Sequence, residues 1–344
     1  MNILLVGSLA PDPQQYTYAS SFERAFKQLG HSVTVVNTWR SQHWLPWPAR
    51  LIKNTYASWH LNKTLRTTAQ SSHFAIIFFI KAHRITAKTI AWLRHNNSAQ
   101  LVHLYPDNPF VCWNGNSNAE VLQALPLFDC WLSWSRMLMP ALISAGCQRV
   151  EYFPFAFDAN LFNQELIISP QELTAYSCDV SFIGTWEPTR EQWLSNLITQ
   201  APQLRLKIWG NLWVENLTPS SPLRACLQGP ALYGSAMIKA FRCAAINLNF
   251  IRTQNITAHN MRTFEIPASG GFMLTERTDE QITSPFHEDE NISCFSSQDE
   301  LLKKILLYIH DAILRKRVAT QGWHAVRDYT IVAQLDKLLV VLGK

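Results

Sequence analysis

The chain has 344 residues, 47% hydrophobic and 16% charged, with 30 Lys and Arg against 25 Asp and Glu. Apolar content of that order, spread along the chain, excludes a disordered protein, and 12 glycines are too few for collagen or a Gly-rich repeat architecture. The length exceeds the ~250–300 residues that one hydrophobic core usually serves, which predicts two domains.

In chain order, residues 2–6 read as a short apolar strand, followed by Gly7-Ser8 and a polar loop. Phe22, Ala25, Phe26 and Leu29 recur at helical steps over 18–29, Gly30 stops that helix, and 32–36 is a β-branched strand. Strand, helix and strand with a short crossover is the unit of a parallel sheet. Strands at 74–80, 101–105, 128–133 and 150–153, with helices at 86–95 and 137–145, complete a first half. A polar stretch over 160–177 breaks the pattern. A second series follows, with strands at 179–183, 204–208, 245–250, 272–274 and 292–295. Its helices read at 189–200, 235–242, 261–268 and 299–310, with Ser297 and Glu300 as a capping box for the last. The expected fold class is therefore α/β, with two doubly wound, Rossmann-like halves and ligands at the carboxyl ends of the strands.

Seven cysteines without a C-x-x-C pair or a Cys/His cluster predict reduced, buried thiols in a reducing compartment. Met1 to Gly7 lacks the basic start of a signal peptide, and no apolar run approaches the ~18–20 residues of a membrane span. These features predict a soluble, cytoplasmic protein. Between Glu23 and Asp107 there is no acidic residue, whereas eleven Lys and Arg occur there. Trp and Leu residues alternate with the cations from Trp39 to Leu61, and the basic stretch proposed for docking runs from Arg40 to Arg66. That pattern suits docking on an anionic membrane surface from the cytoplasmic side. A buried Trp face with solvated cations reads equally from it. Nucleic acid is not expected as a partner, because no helix-turn-helix, RNA-recognition motif or zinc finger accompanies the charge.

Phe182-Ile183-Gly184-Thr185, then Pro188 in a helix first turn and Arg190, form a strand–loop–helix that either cradles phosphate or is a plain turn. No G-x-G-x-x-G or G-x-x-x-x-G-K-[ST] loop is present. The densest polar cluster runs from Asn247 and Asn249 through Asn260-Met261-Arg262-Thr263-Phe264-Glu265-Ile266-Pro267-Ala268-Ser269-Gly270-Gly271-Phe272-Met273-Leu274-Thr275-Glu276. A carboxylate at Glu265, inside an apolar, small-residue helix, needs donors. Ribose hydroxyls or Arg262 three residues earlier both qualify, and Gly270-Gly271 permits close backbone approach.

This cluster resembles the group-1 glycosyltransferases, in particular their CgeB-like (spore-maturation-type) branch. Asp179-Val180-Ser181-Phe182-Ile183-Gly184, Tyr105-Pro106-Asp107, Tyr152-Phe153-Pro154 and Gln321-Gly322-Trp323 through Tyr329-Thr330 support the resemblance. It implies the GT-B fold, two Rossmann-like domains facing across a cleft. The first (1–165) would bind acceptor, with a C-terminal helix at 331–344 packing back on it, and the second (175–328) would bind a nucleotide-sugar donor. The implied activity is transfer of a sugar from a nucleotide-diphosphate donor to an acceptor hydroxyl, on a lipid-linked or cell-envelope glycan. By resemblance Glu265 holds the nucleotide ribose, while Gly184, Thr185, Gly270 and Gly271 lie beside the donor. Arg190, with Lys239 and Arg262 as second choices, neutralises the diphosphate, and His259 and Asn260 stand nearest the donor sugar. The family places a glutamate eight positions before the ribose glutamate; here that position is Thr257. The departure keeps two further readings open, a non-catalytic nucleotide- or glycan-binding protein and a GT-B-type nucleotide-sugar epimerase. No Asp-x-Asp motif occurs, so no metal or other cofactor is expected. Asp107, at a strand end, is either a general base for an inverting transfer or a turn aspartate in Pro106-Asp107-Asn108-Pro109.

Overall fold

Strands β1 (Asn2–Gly7), β2 (Ser32–Asn37), β3 (Ile76–Ile80), β4 (Gln100–Leu104), β5 (Cys130–Ser133) and β6 (Val150–Tyr152) build one parallel sheet in a computed structural model of the chain. The structure describes residues 1–10, 16–39, 47–112, 116–162, 165–255, 257–283 and 285–344, excepting the side chains of 47–54. Helices α1 (Tyr18–Gln28), α2 (Trp47–Ser71), α3 (Ala87–Asn96), α4 (Ala119–Ala124) and α5 (Met139–Ser144) connect the strands. Ile3 to Val6 and Ile76 to Phe79 are fully or almost fully buried, as central strands covered by helices on both faces require. The sheet order is β2-β1-β3-β4-β5-β6, so the winding direction reverses between β1 and β3.

The second half repeats the plan with α6 (Pro170–Tyr176), β7 (Cys178–Ile183), α7 (Pro188–Gln200), β8 (Leu206–Trp209), α8 (Trp213–Asn216), β9 (Leu227–Gly229) and α9 (Gly234–Cys243). It continues through β10 (Ala244–Asn249), α10 (Arg262–Ala268), β11 (Met273–Glu276), β12 (Ser293–Phe295), α11 (Gln298–His310) and α12 (Ala312–Val326). All six strands are parallel in the order β12-β11-β10-β7-β8-β9, and the reversal falls between β7 and β10. Phe182, Phe250 and Phe295 anchor its core with Trp213, the Phe182 and Phe250 rings 5.3 Å apart. Helix α13 (Ile331–Val341) ends the chain.

Two compact units result: Met1–Pro154 with Thr253–Ile256 and Ile331–Lys344, and Phe155–Arg252 with Thr257–Thr330. The change at Pro154 precedes the limit of 165 expected from sequence. The Phe157 N–H donates to the Tyr329 carbonyl (3.2 Å), and the Phe155 ring packs 5.7 Å from His259, so residues just past Pro154 join the second unit. Helix α13 packs on α1 in the first unit, where Arg149 Nη2 donates to the Val341 carbonyl at 3.0 Å.

Local signals explain several boundaries. Thr17 and Ser20 form a reciprocal capping box on α1, and Ser169 and Glu172 form another on α6. The box expected at α11 is only half made. Ser297 Oγ accepts from the Glu300 N–H (3.2 Å), but the Glu300 carboxylate goes to Arg277 (2.7 Å) and the Ser296 N–H (2.8 Å). A guanidinium outbids the N-cap amide for that carboxylate.

Candidate active site

In doubly wound sheets a crevice opens at the carboxyl ends of the two strands where winding reverses. In the second unit those ends belong to β7 and β10, and six charged side chains gather beside them. Strand β7 runs out at Ile183, and Gly184 turns the chain. Its N–H donates to the Trp209 carbonyl (2.9 Å) and its carbonyl accepts from Trp213 Nε1 (2.8 Å). Thr185 follows and accepts a hydrogen bond from Arg190 Nη1 at 2.8 Å. Arg190, in the first turn of α7, is 8% exposed, and its guanidinium lies 5.6 Å over the Phe182 ring. Burial pulls its pKa down to about 10, with Arg252 and Arg262 adding in the same direction and Glu187 and Glu276 opposing.

Arg252 stands three residues past the end of β10, and its Nε lies 2.5 Å from Glu187 Oε1. The other Glu187 oxygen is 3.4 Å from Arg190 Nε. Arg262, the first residue of α10, donates from Nε to the Ile183 carbonyl (3.4 Å) and pairs through Nη1 with Glu265 Oε2. Glu276 ends β11; its Oε2 accepts from the Ile251 N–H at 2.5 Å, and burial pushes its pKa up. Three guanidiniums thus face three carboxylates across the switch point. Glu187 is the N-cap of α7 yet makes no capping hydrogen bond. Among the described residues the Thr189 and Arg190 N–H groups donate to no backbone or side-chain acceptor. Open N–H groups at a helix start, with arginines beside them, give this edge a positive potential.

The sequence-derived candidates divide in three. Gly184, Thr185, Arg190, Arg262 and Glu265 meet at this edge. Asn260 joins a buried amide and hydroxyl network beside it: Asn260 Nδ2 donates to Asn249 Oδ1 (2.8 Å), Asn249 Nδ2 to Thr275 Oγ1 (3.1 Å), and Thr275 Oγ1 to Gln281 Oε1 (3.1 Å). His259 is buried between Phe264 and Phe155, at 5.0 and 5.7 Å. The structure does not bring Lys239, Gly270 or Gly271 to the carboxyl edge. Lys239 sits midway along α9 and pairs with Glu172 at 2.6 Å. Gly270 and Gly271 lie where α10 ends and β11 begins, at the amino edge. The Gly270 N–H donates to the Pro267 carbonyl (2.8 Å) and the Gly271 N–H to that of Ile266 (3.2 Å), a Schellman turn with Gly270 at φ +85°. A Cβ on Gly271 would lie 2.8 Å from the Phe241 carbonyl oxygen. Their job is backbone geometry.

Asp107 belongs to the first unit. Its Oδ2 is 2.5 Å from Lys81 Nζ and its Oδ1 accepts from Gln254 Nε2 at 2.9 Å. The turn is held by its neighbour Asn108, whose Oδ1 accepts from the Phe110 N–H (3.0 Å). Lys81, directly after β3 at the first sheet's own switch point, has φ +44°, a strained value for a residue with a Cβ. Sequence reasoning missed Arg252, Glu187 and Glu276 as site residues. A cation just past a strand of the second series was the available signal for Arg252.

Comparison with known proteins bears on the family and the fold. Residues 190–340 match the family model described as glycosyl transferase-like. The fold is of the GT-B type, with two Rossmann-like domains. Among solved structures, sucrose-phosphate synthase from Thermosynechococcus elongatus is similar over 100% of this chain and 99% of its own, with a TM-score of 0.72 at 12% identity. Anabaena HepE in complex with UDP-glucose gives 0.68 at 13% identity over 100% and 99%. The trehalose-6-phosphate synthase OtsA gives 0.67 at 11% over the same shares. A sequence comparison with curated proteins gave no match.

Proposed function

We propose that the second unit binds a nucleotide-sugar through its diphosphate at the Arg190–Arg252–Arg262 cluster, and that the first unit presents an acceptor hydroxyl to it. The observation that carries this reading is the convergence of three arginines on the open start of α7 at the β7/β10 switch point. Guanidiniums and helix N–H groups take up the charge of a departing nucleoside diphosphate without calling on a divalent cation. Glu265 keeps Oε1 free of hydrogen bonds among the described residues while Oε2 holds Arg262, so it has an acceptor site to offer a ribose hydroxyl. The Asn260–Glu276 motif supports assignment to the CgeB-like branch. HepE was captured with UDP-glucose, which makes UDP-glucose the first donor to test.

The acceptor is read as a lipid-linked or membrane-proximal glycan. The acid-free span from Arg24 to Pro106 supports this, as do Tyr56 and Trp59, 63% and 56% exposed on α2 with Lys63 Nζ 5.1 Å over the Trp59 ring. Asp107 is the candidate base at the acceptor side. Titration calorimetry with UDP tests the donor site. Arg252→Ala and Glu265→Ala should each raise Kd at least tenfold, and unchanged affinity in both removes the assignment. Transfer persisting in EDTA is the expected outcome for the metal-free reading.

A further inference from the structure

Glu187 is an anomalous N-cap. Residues at this position normally turn an oxygen onto the helix N–H groups, but Glu187 sends both of its oxygens outward to arginines: Oε1 to Arg252 Nε at 2.5 Å and Oε2 to Arg190 Nε at 3.4 Å. Arg190 Nε makes no hydrogen bond in return, although it is buried. One carboxylate therefore spans two guanidiniums at the mouth of an uncapped helix, where two phosphate oxygens would sit. We propose that Glu187 is an internal stand-in for the donor diphosphate, seated between Arg190 and Arg252 until a nucleoside diphosphate displaces it, and that this displacement makes the site select diphosphates over smaller anions. The inference rests on the reading of this cluster as the donor site.

Two physical arguments support it. The local charge is balanced, Arg190, Arg252 and Arg262 against Glu187, Glu265 and Glu276, so an entering anion has no unpartnered guanidinium to bind and must exchange for a carboxylate already there. Glu187 is the one able to leave: its side chain is 30% exposed, whereas that of Glu265 is 9% exposed and Glu276 is tied to the Ile251 N–H. A diphosphate reaches both arginines and the Thr189 and Arg190 N–H groups together, which offsets the loss of the ion pair. A single phosphate reaches fewer of these donors and does not.

Calorimetry on Glu187→Gln and wild-type protein with UDP, UMP and inorganic phosphate tests the proposal, with melting curves to verify the fold. Glutamine keeps the shape and removes the charge. UDP is expected to bind the variant about tenfold more tightly, and UMP and phosphate to gain more than UDP does, so that selectivity narrows. Weaker or unchanged UDP binding by the variant, beside intact wild-type binding, overturns the stand-in and makes Glu187 a support for the arginines. If neither protein binds UDP, GDP or ADP, the donor-site reading fails and this inference with it. Glu187→Ala, which removes the carboxylate and its shape, should move affinities in the same direction.

Discussion

His103 shows what a single buried side chain can cost. It lies in β4 inside a ring of aromatics, with Trp131, Phe128, Tyr105 and Phe79 all within 6.0 Å, and neither ring nitrogen has a hydrogen-bond partner. Burial drives its pKa down to about 3, so the folded protein keeps it neutral. The unfolded chain takes up a proton below its ordinary value near ~6.5. Stability from this group is therefore complete above about pH 6.5 and drains away as pH falls toward 3. At pH 5 the loss amounts to about 2 kcal/mol. Denaturant melts of wild type and His103→Leu should diverge below pH 6.5, the variant holding its stability, and parallel curves would show that His103 is not the sensor. Gly270 supplies a second test. At φ +85° with open space around its missing Cβ, Gly270→Ala should cost roughly 1–2 kcal/mol through backbone strain alone. UDP affinity should not move, since the turn stands at the edge of the sheet opposite the arginines.

At the scale of elements, α2 carries the test of membrane docking. Its inward side buries Leu61, Leu65 and Ala69, while Tyr56 and Trp59 stand exposed with rings 5.9 Å apart. Arg66 is spoken for, donating to Thr89 Oγ1 (3.0 Å) and lying 5.5 Å over Trp92. Arg40, Trp44 and Leu45, together with the side chains of Trp47, Arg50, Leu51, Ile52 and Lys53, lie outside the described residues. In co-sedimentation at low salt, anionic vesicles should retain the protein and neutral ones should not. Tyr56→Ala with Trp59→Ala should release it, and equal recovery from both vesicles would count against docking. Helix α2 is also one of the elements that the sequence hid, because aromatics and cations recur along it at too many positions for one apolar face to stand out. Strand β9 was hidden for another reason, being three residues long on a sheet edge. Eleven of the twelve strands among the described residues were legible from β-branched and aromatic runs bounded by Gly and turn residues, since strands buried on both faces announce themselves by composition. Helix α6 carried a readable capping box, Ser169 with Glu172, that a polar surround obscured. For the site, the motif led to Arg190, Arg262 and Glu265. Arg252 was not legible, because its role depends on strand order, and a local pattern does not reveal that β10 lies beside β7.

Across the whole molecule, the two units carry different chemistry at equivalent places, each at the carboxyl end of its own sheet where winding reverses. The second unit assembles Arg190, Arg252 and Arg262, the open start of α7 and the Glu265 carboxylate. The first has Asp107, clamped by Lys81 and Gln254, next to a strained Lys81 backbone. If donor binding and proton removal are divided in this way, kinetics and binding should separate by unit. Asp107→Asn keeps the side-chain shape and should leave the Kd for UDP within about twofold, while transfer falls by the ~10²–10⁴ that general-base catalysis supplies. Arg252→Ala should do the reverse at saturating donor, raising Kd and KM more than it lowers kcat. A loss of UDP affinity in Asp107→Asn would place Asp107 in donor binding and end the division. Transfer at the wild-type rate would limit Asp107 to positioning Lys81 and direct the search to a mechanism that retains configuration, in which the acceptor proton leaves without a protein base.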